Sequence, residues 1–465
     1  MAHEASQSPS LKVLVDEEKN RVVFAESDND FVDVLFSFMT MPIGTIIRLT
    51  REQALKWGIG CLNNLYESIE NLDDKYLQSE KRKEMLLCPR SAAEIYSRNL
   101  KLHFVDSNSN EYYVCGSGCT LSPYKTARCH CGNDIGYMVK PKNPVSLPGV
   151  GGVFVKPTAR FMITDDFQVL PMSTMTCLTL LKELGAVDGS TIKERCINIG
   201  KDEVLKLINC SLTSMAPFSE TVLESPVSKT SSAIRRVEFS PRSTTESQSG
   251  MDTTRSKEAK IALKLIINEC NNKALYAEAE KDFVDLICSF LTFPLGYFLN
   301  KLPSLSLKGC LGNLYNSIKD FDVDKYLNSE EMKATLVDPK LAPGIAYSTQ
   351  LILIKEALHP SWSTVESLFG RNSFAWEIIS QSRVATIREG FMKGPSMFMV
   401  TDNLIITPLS PISGLSLINK SNIPISDIVE REVTIGEEEA LRLLESAFVS
   451  RSALTDAFIL KEPKQ

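Results

Sequence analysis

Across residues 11–26 apolar and polar positions alternate with a period of two, and Asp16 to Asn20 interrupt the alternation with turn-forming residues. That pattern predicts a β-hairpin. The period then changes. Phe31, Val34, Leu35, Phe38 and Met39 fall at i, i+3, i+4, i+7 and i+8, a single helical face. Asp30 is the expected N-cap, with Asp33 in a capping-box position three residues on. Pro42 and Gly44 break the pattern, and a second apolar helix is expected over about residues 52–70. Further along, Thr164-Asp165-Asp166 supplies the turn of a strand–turn–strand segment. Leu178 to Leu184 reads as a helix ended by Gly185, and Glu203 to Leu212 as a closing amphipathic helix.

The same succession occurs twice. DFVDVLFSFMTMPIG at 30–44 returns as DFVDLICSFLTFPLG at 282–296, with nine of fifteen positions identical. Unrelated segments of that length would share about one position at background residue frequencies. The correspondence continues in order from Leu11 and Leu263, through Gly60–Tyr66 and Gly309–Tyr315, Asp74–Leu77 and Asp324–Leu327, and Phe161–Pro171 and Phe398–Pro408, to Ile199 and Ile435. The expected organisation is a tail at 1–10, a first unit at 11–218, a linker at 219–260 and a second unit at 261–460. The linker is rich in Ser and Thr and poor in large apolar residues, so burial there could not offset the entropy of ordering it. Ser225-Pro226 and Ser240-Pro241 within it are candidate phosphorylation sites or plain linker prolines. Mixed, partly antiparallel strands with interspersed helices point to an α+β class. No regular strand–helix alternation of the Rossmann kind is visible.

Composition changes this picture little. Of 465 residues, 43% are hydrophobic and 23% charged, ordinary for a globular protein. The net charge of −6 argues against a nucleic-acid surface covering the molecule. The N-terminus carries no apolar core of a secretory signal. The most apolar stretch, Val284 to Leu299, is interrupted by Asp285, Ser289, Pro294 and Gly296 and reads as a buried helix instead of a membrane span. A reducing compartment, cytoplasmic or nuclear, is therefore expected for the cysteines.

Four of the twelve cysteines fall within seventeen residues, Cys115, Cys119, Cys129 and Cys131, inside a loop at 112–132. Two short cysteine loops brought face to face satisfy tetrahedral zinc. The first gap is usual for such sites and the second, with one intervening residue, is tight. His130 could replace a neighbouring cysteine, and His103 is a more distant alternative. Structural zinc is the preferred reading; unligated thiols and, less so, a disulfide remain open. A catalytic zinc is disfavoured, because no open position or H-x-E motif accompanies the cysteines. The second half has no cysteine after Cys310, and presents Trp362, Phe369, Phe374 and Trp376 at the corresponding place. The metal loop would thus belong to one unit alone.

No triad, nucleophile elbow, Walker loop or dinucleotide fingerprint is present, and Gly149-Val150-Gly151-Gly152 reads as a turn. No catalytic residue is assigned. The repeated Asn64, Tyr66 and Ser68, matching Asn313, Tyr315 and Ser317, are expected to bond within the helical layer, although they could line a paired site. Cys61 and Cys310 read as small core residues, Asp33 and Asp285 as helix-start acids, and Lys81-Arg82-Lys83 as a solvated face. Tyr112, Tyr113 and Tyr124 could stack on unpaired RNA bases, a reading the net charge does not support.

The duplicated tracts LKVLVDEEKNRVVFAE, DFVDVLFSFMTMPIG, GCLNNLYESI and FMITDD…LP…LTLLKELG resemble the plant proteins grouped as domain of unknown function 674. The resemblance implies a plant source and a tandem arrangement. It implies no activity. The expectation is therefore a non-enzymatic interaction protein with a protein partner and a structural zinc loop. The alternative is a small-molecule binder or enzyme using a groove between the units.

Overall fold

The computed structural model describes residues 9–52, 59–105, 111–115, 121–125, 135–139, 152–183, 191–223, 260–302, 310–347, 349–357 and 389–460. In the first half the strands are β1 (Ser10–Asp16), β2 (Arg21–Ser27), β3 (Tyr112–Cys115), β4 (Leu121–Ser122), β5 (Ile135–Val139), β6 (Phe161–Thr164), β7 (Val169–Pro171) and β8 (Ile192–Asn198). The helices are α1 (Asn29–Ser37), α2 (Ile43–Glu52), α3 (Leu62–Asn71), α4 (Glu80–Leu87), α5 (Glu94–Ser97), α6 (Thr174–Glu183), α7 (Lys201–Ser211) and α8 (Pro217–Val222). In the second half the strands are β9 (Ile261–Asn268), β10 (Lys273–Glu280), β11 (Met397–Thr401), β12 (Ile406–Pro408) and β13 (Ile428–Ile435). Its helices are α9 (Lys281–Ser289), α10 (Leu295–Lys301), α11 (Cys310–Asp320), α12 (Val323–Tyr326), α13 (Glu330–Val337), α14 (Pro411–Lys420) and α15 (Glu437–Val449).

Helices and antiparallel sheets mix as an α+β fold requires. Two five-stranded sheets carry the same order, β7-β6-β2-β1-β8 and β12-β11-β10-β9-β13, and a three-stranded sheet β4-β3-β5 stands beside them. The expected hairpin is β1–β2, turning through Asn20 at φ 46°, a left-handed conformation that asparagine tolerates; Asn272 does the same at φ 51°. Strands β8 and β13 have no counterpart in the hydrophobic pattern. They are largely exposed edge strands bearing Lys193, Glu194 and Arg195, or Glu430, Arg431 and Glu432. Charge on an edge discourages further strand pairing and hides the period-two signal.

Several boundaries differ from the pattern. The N-cap of α1 is Asp28, whose side chain accepts from the Asp30 amide, and that of α9 is Glu280. The helical stripe does break at Pro42: a 3₁₀ turn at Phe38–Thr40 ends it, Met41 is extended and Pro42 bridged, and α2 starts at Ile43. The helix expected over about 52–70 corresponds to α3, Leu62–Asn71, with α2 ahead of it. At the linker edge, α8 extends to Val222, and the Ser219 amide and hydroxyl donate to Asp165 at 2.9 and 2.7 Å. Residues 224–259 lie outside the described residues.

One apolar core runs through both halves. At its centre, Pro42 and Pro294 form an antiparallel bridge. The Ile43 amide donates to Phe293 O at 3.0 Å, and the Leu295 amide donates to Met41 O at 2.9 Å. Glycine at the next position lets the backbones meet. A Cβ on Gly44 would stand 3.1 Å from Leu291 O and 2.8 Å from Leu86 O; on Gly296, 2.9 Å from Met39 O and 3.0 Å from Leu336 O.

Helices also cross over to the opposite sheet. Ser68 Oγ on α3 accepts from the Ile406 amide of edge strand β12, and Ser317 Oγ on α11 accepts from the Val169 amide of edge strand β7, both at 3.0 Å. Asn64 donates to Asn403 O, and Asn313 to Asp166 O, both at 2.9 Å. These repeated polar residues were expected to bond within their own helical layer. Their helix bonds exist, Ser68 to Asn64 O and Ser317 to Asn313 O, but they also supply partners to edge strands of the other half. Cys61 and Cys310 are fully buried as expected, and their thiols donate to Ser450 O and Ser214 O across the same divide.

Gly44→Ala and Gly296→Ala should each destabilise the chain by about 1–3 kcal/mol, since the neighbours are backbone and cannot give way. Urea denaturation would measure this, with Gly136→Ala as control, where a Cβ meets nothing within 4 Å. Equal stability of all three variants would refute a close-packed seam.

Candidate functional site

The cysteine loop is anchored on β3, which pairs on one side with β4 and on the other with β5; Cys115 sits opposite Ile135. Along the chain, residues 116–120 fall between β3 and β4, and residues 123–134 between β4 and β5. Cys119, Cys129, Cys131 and His130 lie outside the described residues. Among the described residues no three His, Cys, Asp or Glu side chains are grouped to hold a metal.

What docks this sheet onto the helices is Arg90. Its amide donates to Tyr124 Oη at 2.6 Å. Its guanidinium donates to Glu111 O and Pro123 O, both at 3.1 Å. It also grips both Glu94 oxygens at 2.7 Å, the bidentate geometry in which arginine is strongest. The Tyr112 ring lies 5.1 Å from the Arg90 guanidinium carbon and 5.2 Å from that of Arg98. Tyr112 and Tyr124 are buried by this arrangement, so neither is available to stack on an RNA base.

Beside Arg90 lies a cavity of about 240 Å³. Arg48, Arg90 and Arg98 line it with Glu84 and Glu94, and Met41, Leu100, Leu102 and Phe104 supply apolar wall. His103, weighed earlier as a distant zinc ligand, lines this cavity too. Its described lining residues all fall between 37 and 105, within the first half and not in the groove between halves that the sequence suggested. The arginines escaped sequence reasoning because they are scattered over fifty residues. One signal was present: inside the repeated tract, Thr45 and Arg48 of the first half stand where the second has Tyr297 and Asn300.

Two carboxylates are buried, and among the described residues neither makes an ion pair, although Lys281 lies near enough to Asp285 to act on its charge. Asp33 Oδ1 accepts from the Phe154 and Val155 amides at 2.8 and 2.9 Å, and its Oδ2 from Val153 at 2.7 Å. Asp285 Oδ1 accepts from the Phe391 and Met392 amides, both at 2.7 Å, and its Oδ2 has no partner among the described residues. They are more than helix-start acids: each ties a distant strap of backbone to its helix. The straps then pair across the halves, Asn328 N with Phe154 O and Gln78 N with Phe391 O, both at 2.9 Å. Burial pushes both carboxyls up to about 7, against the opposing pull of the amides. In the basic run, Arg82 is buried and Lys83 Nζ donates to Leu72 O at 2.8 Å, so only part of it is a solvated face.

His3, His130 and His359 lie outside the described residues, as do Trp362, Phe369, Phe374, Trp376 and the two Ser-Pro pairs. A family model described as "Protein of unknown function (DUF674)" matches residues 5–438. No curated protein matches the chain, and no solved structure matches it.

Asp33→Asn should cost about 1–3 kcal/mol at pH 7, because the new amide would set a donor against the Val153 N–H. Asp285→Asn should cost less, since its Oδ2 has no donor to lose. Unfolded, these carboxyls titrate near 3.8; folded, near 7. The folded state therefore holds the extra protons between about pH 4 and 7, and this contribution to stability declines as the pH rises through that window. Chemical denaturation across pH would test this; an unchanged pH slope in the double Asn variant would contradict it.

Proposed function

The chain belongs to the DUF674 family, whose description assigns no activity, and from that premise we propose that it is a non-enzymatic binding scaffold made of two copies of one unit. The reciprocal seam at Pro42 and Pro294 and the identical strand orders support the duplication. The observation that carries the binding role is a repeated apolar surface. Helices α6 and α14 occupy corresponding positions, and one face of each packs on its sheet. On the other face Met175 and Leu178 are 69% and 44% exposed, and the corresponding Ile412 and Leu415 are 80% and 51% exposed. Exposed apolar pairs at i and i+3, repeated on both halves, suit a protein partner that covers one helix or both.

Structural zinc at Cys115, Cys119, Cys129 and Cys131 completes the reading. The chemistry of the donor set supports it, together with a small sheet that has few residues of its own to bury. The metal would brace the sheet that carries Tyr112 and Tyr124, and hence the docking of Arg90. A second reading, ligand binding, is favoured by the arginine-lined cavity.

Elemental analysis of the purified full chain should find one zinc per molecule, and none in Cys115→Ser/Cys131→Ser; equal metal in both proteins would discard the site. For the surface, Met175→Glu/Leu178→Glu/Ile412→Glu/Leu415→Glu should melt like the unaltered chain. It should lose at least tenfold of a partner retained stoichiometrically by the unaltered chain in quantitative co-purification. Identical partner recovery would end the scaffold reading at these helices.

A further inference from the structure

We propose that the cavity lined by Arg48, Arg90 and Arg98 is a binding site for a small carboxylate carrying a short apolar tail, an inference that rests on the ligand-binding reading. The head-group argument begins with Arg98. Its side chain is 16% exposed, and its Nε and Nη2 are buried atoms with no hydrogen-bond partner among the described residues. Glu94 Oε1 stands 4.0 Å from Nη2, beyond hydrogen-bond reach, and both Glu94 oxygens are already held by Arg90 at 2.7 Å. A guanidinium removed from water with two donors unmade is costly. A carboxylate matches the planar fork and would satisfy both donors together once Arg98 turns this edge, now closed to solvent, into the cavity.

Charge selects the valence. Among the described residues three arginines and two glutamates line the cavity, an excess of one positive charge, which a monoanion balances and a dianion would overshoot. Four of the lining hydroxyls donate elsewhere, Thr45 to Pro89 O, Thr40 to Ser37 O, Ser97 to Ala93 O and Ser37 to Val34 O, while Ser91 Oγ accepts from the Ala93 amide. Charge recognition of the head therefore falls to the guanidinium groups. The rest of the wall, Met41, Leu100, Leu102 and Phe104, is aliphatic or aromatic and suits a hydrocarbon tail.

The second half shows what closes such a space. At the position of Thr45 it has Tyr297, which is buried with its ring 5.4 Å from Phe293 in an edge-on contact. At the position of Arg48 it has Asn300, which donates to Asp338 at 3.2 Å. One half thus carries a small residue and a cation where the other carries a large ring and an uncharged amide bonded to a carboxylate. The site is specific to the first half.

Isothermal titration of the full chain with hexanoate, hexan-1-ol and inorganic phosphate tests the proposal. Hexanoate should bind at one saturable site, at least tenfold more tightly than hexan-1-ol or phosphate. Arg98→Gln should weaken it about tenfold, as loss of a charged hydrogen bond predicts, and Thr45→Tyr should abolish it. Thermal melts would establish that both variants fold; the hexanoate-to-hexanol comparison needs only the unaltered chain. Equal binding of hexan-1-ol, blocked by Thr45→Tyr, would overturn the anion while sparing the ligand-binding reading. Tighter phosphate binding would overturn the carboxylate class. Hexanoate binding unmoved by either folded variant would overturn the location. Failure of all three probes to bind would overturn both the proposal and the reading beneath it.

Discussion

Two backbone hydrogen bonds at the centre of the molecule set the terms for everything around them. Ile43 N to Phe293 O and Leu295 N to Met41 O are formed where two helices begin, each immediately after a proline. Their geometry demands that the chains approach to backbone distance, which Gly44 and Gly296 permit. Once the backbones meet there, the helices on either side cannot pack against their own sheets alone. They reach across, and the apolar side chains of both halves join one core. Buried area grows with the size of the shared core, so a joined pair removes more apolar surface from water than two small bodies would.

Crossing over creates a polar problem, because short edge strands and backbone straps are carried into the interior. Each solution appears twice. Ser68 and Ser317 accept the amides of edge strands, and Asp33 and Asp285 accept the amides of straps. Aromatic rings repeat the same exchange: Tyr76 packs on Phe398 at 5.8 Å, and Tyr326 on Phe161 at 6.1 Å. Buried carboxylates bind several amides more strongly than a hydroxyl could, and desolvation is the counterweight that raises their pKa.

Among the described residues the first half carries two features without a described counterpart in the second, and Arg90 links them. Cys115 lies on the three-stranded sheet, and Arg90 holds that sheet to the helices that line the cavity. Chemistry that differs between the halves is thus gathered on one side of the molecule, while the exposed apolar pairs on α6 and α14 are common to both.

Hydrophobic periodicity was enough to read the α+β class, the β1–β2 hairpin and the α1 stripe, because each depends on neighbours within about ten residues, while residue identity between distant tracts showed the repeated segments. Charged edge strands β8 and β13 escaped it, since an exposed strand needs no apolar alternation. Asp33, Asn64 and Ser68 were read as local capping or helix residues, for a polar side chain shows its type in the sequence but not its partner. Only tertiary structure decided that those partners lie up to 339 residues away, and that Arg48, Arg90 and Arg98 surround one space. Backbone periodicity is a local property of the chain. The meeting of distant polar groups is set by how the helices cross, and no run of neighbouring residues encodes that crossing.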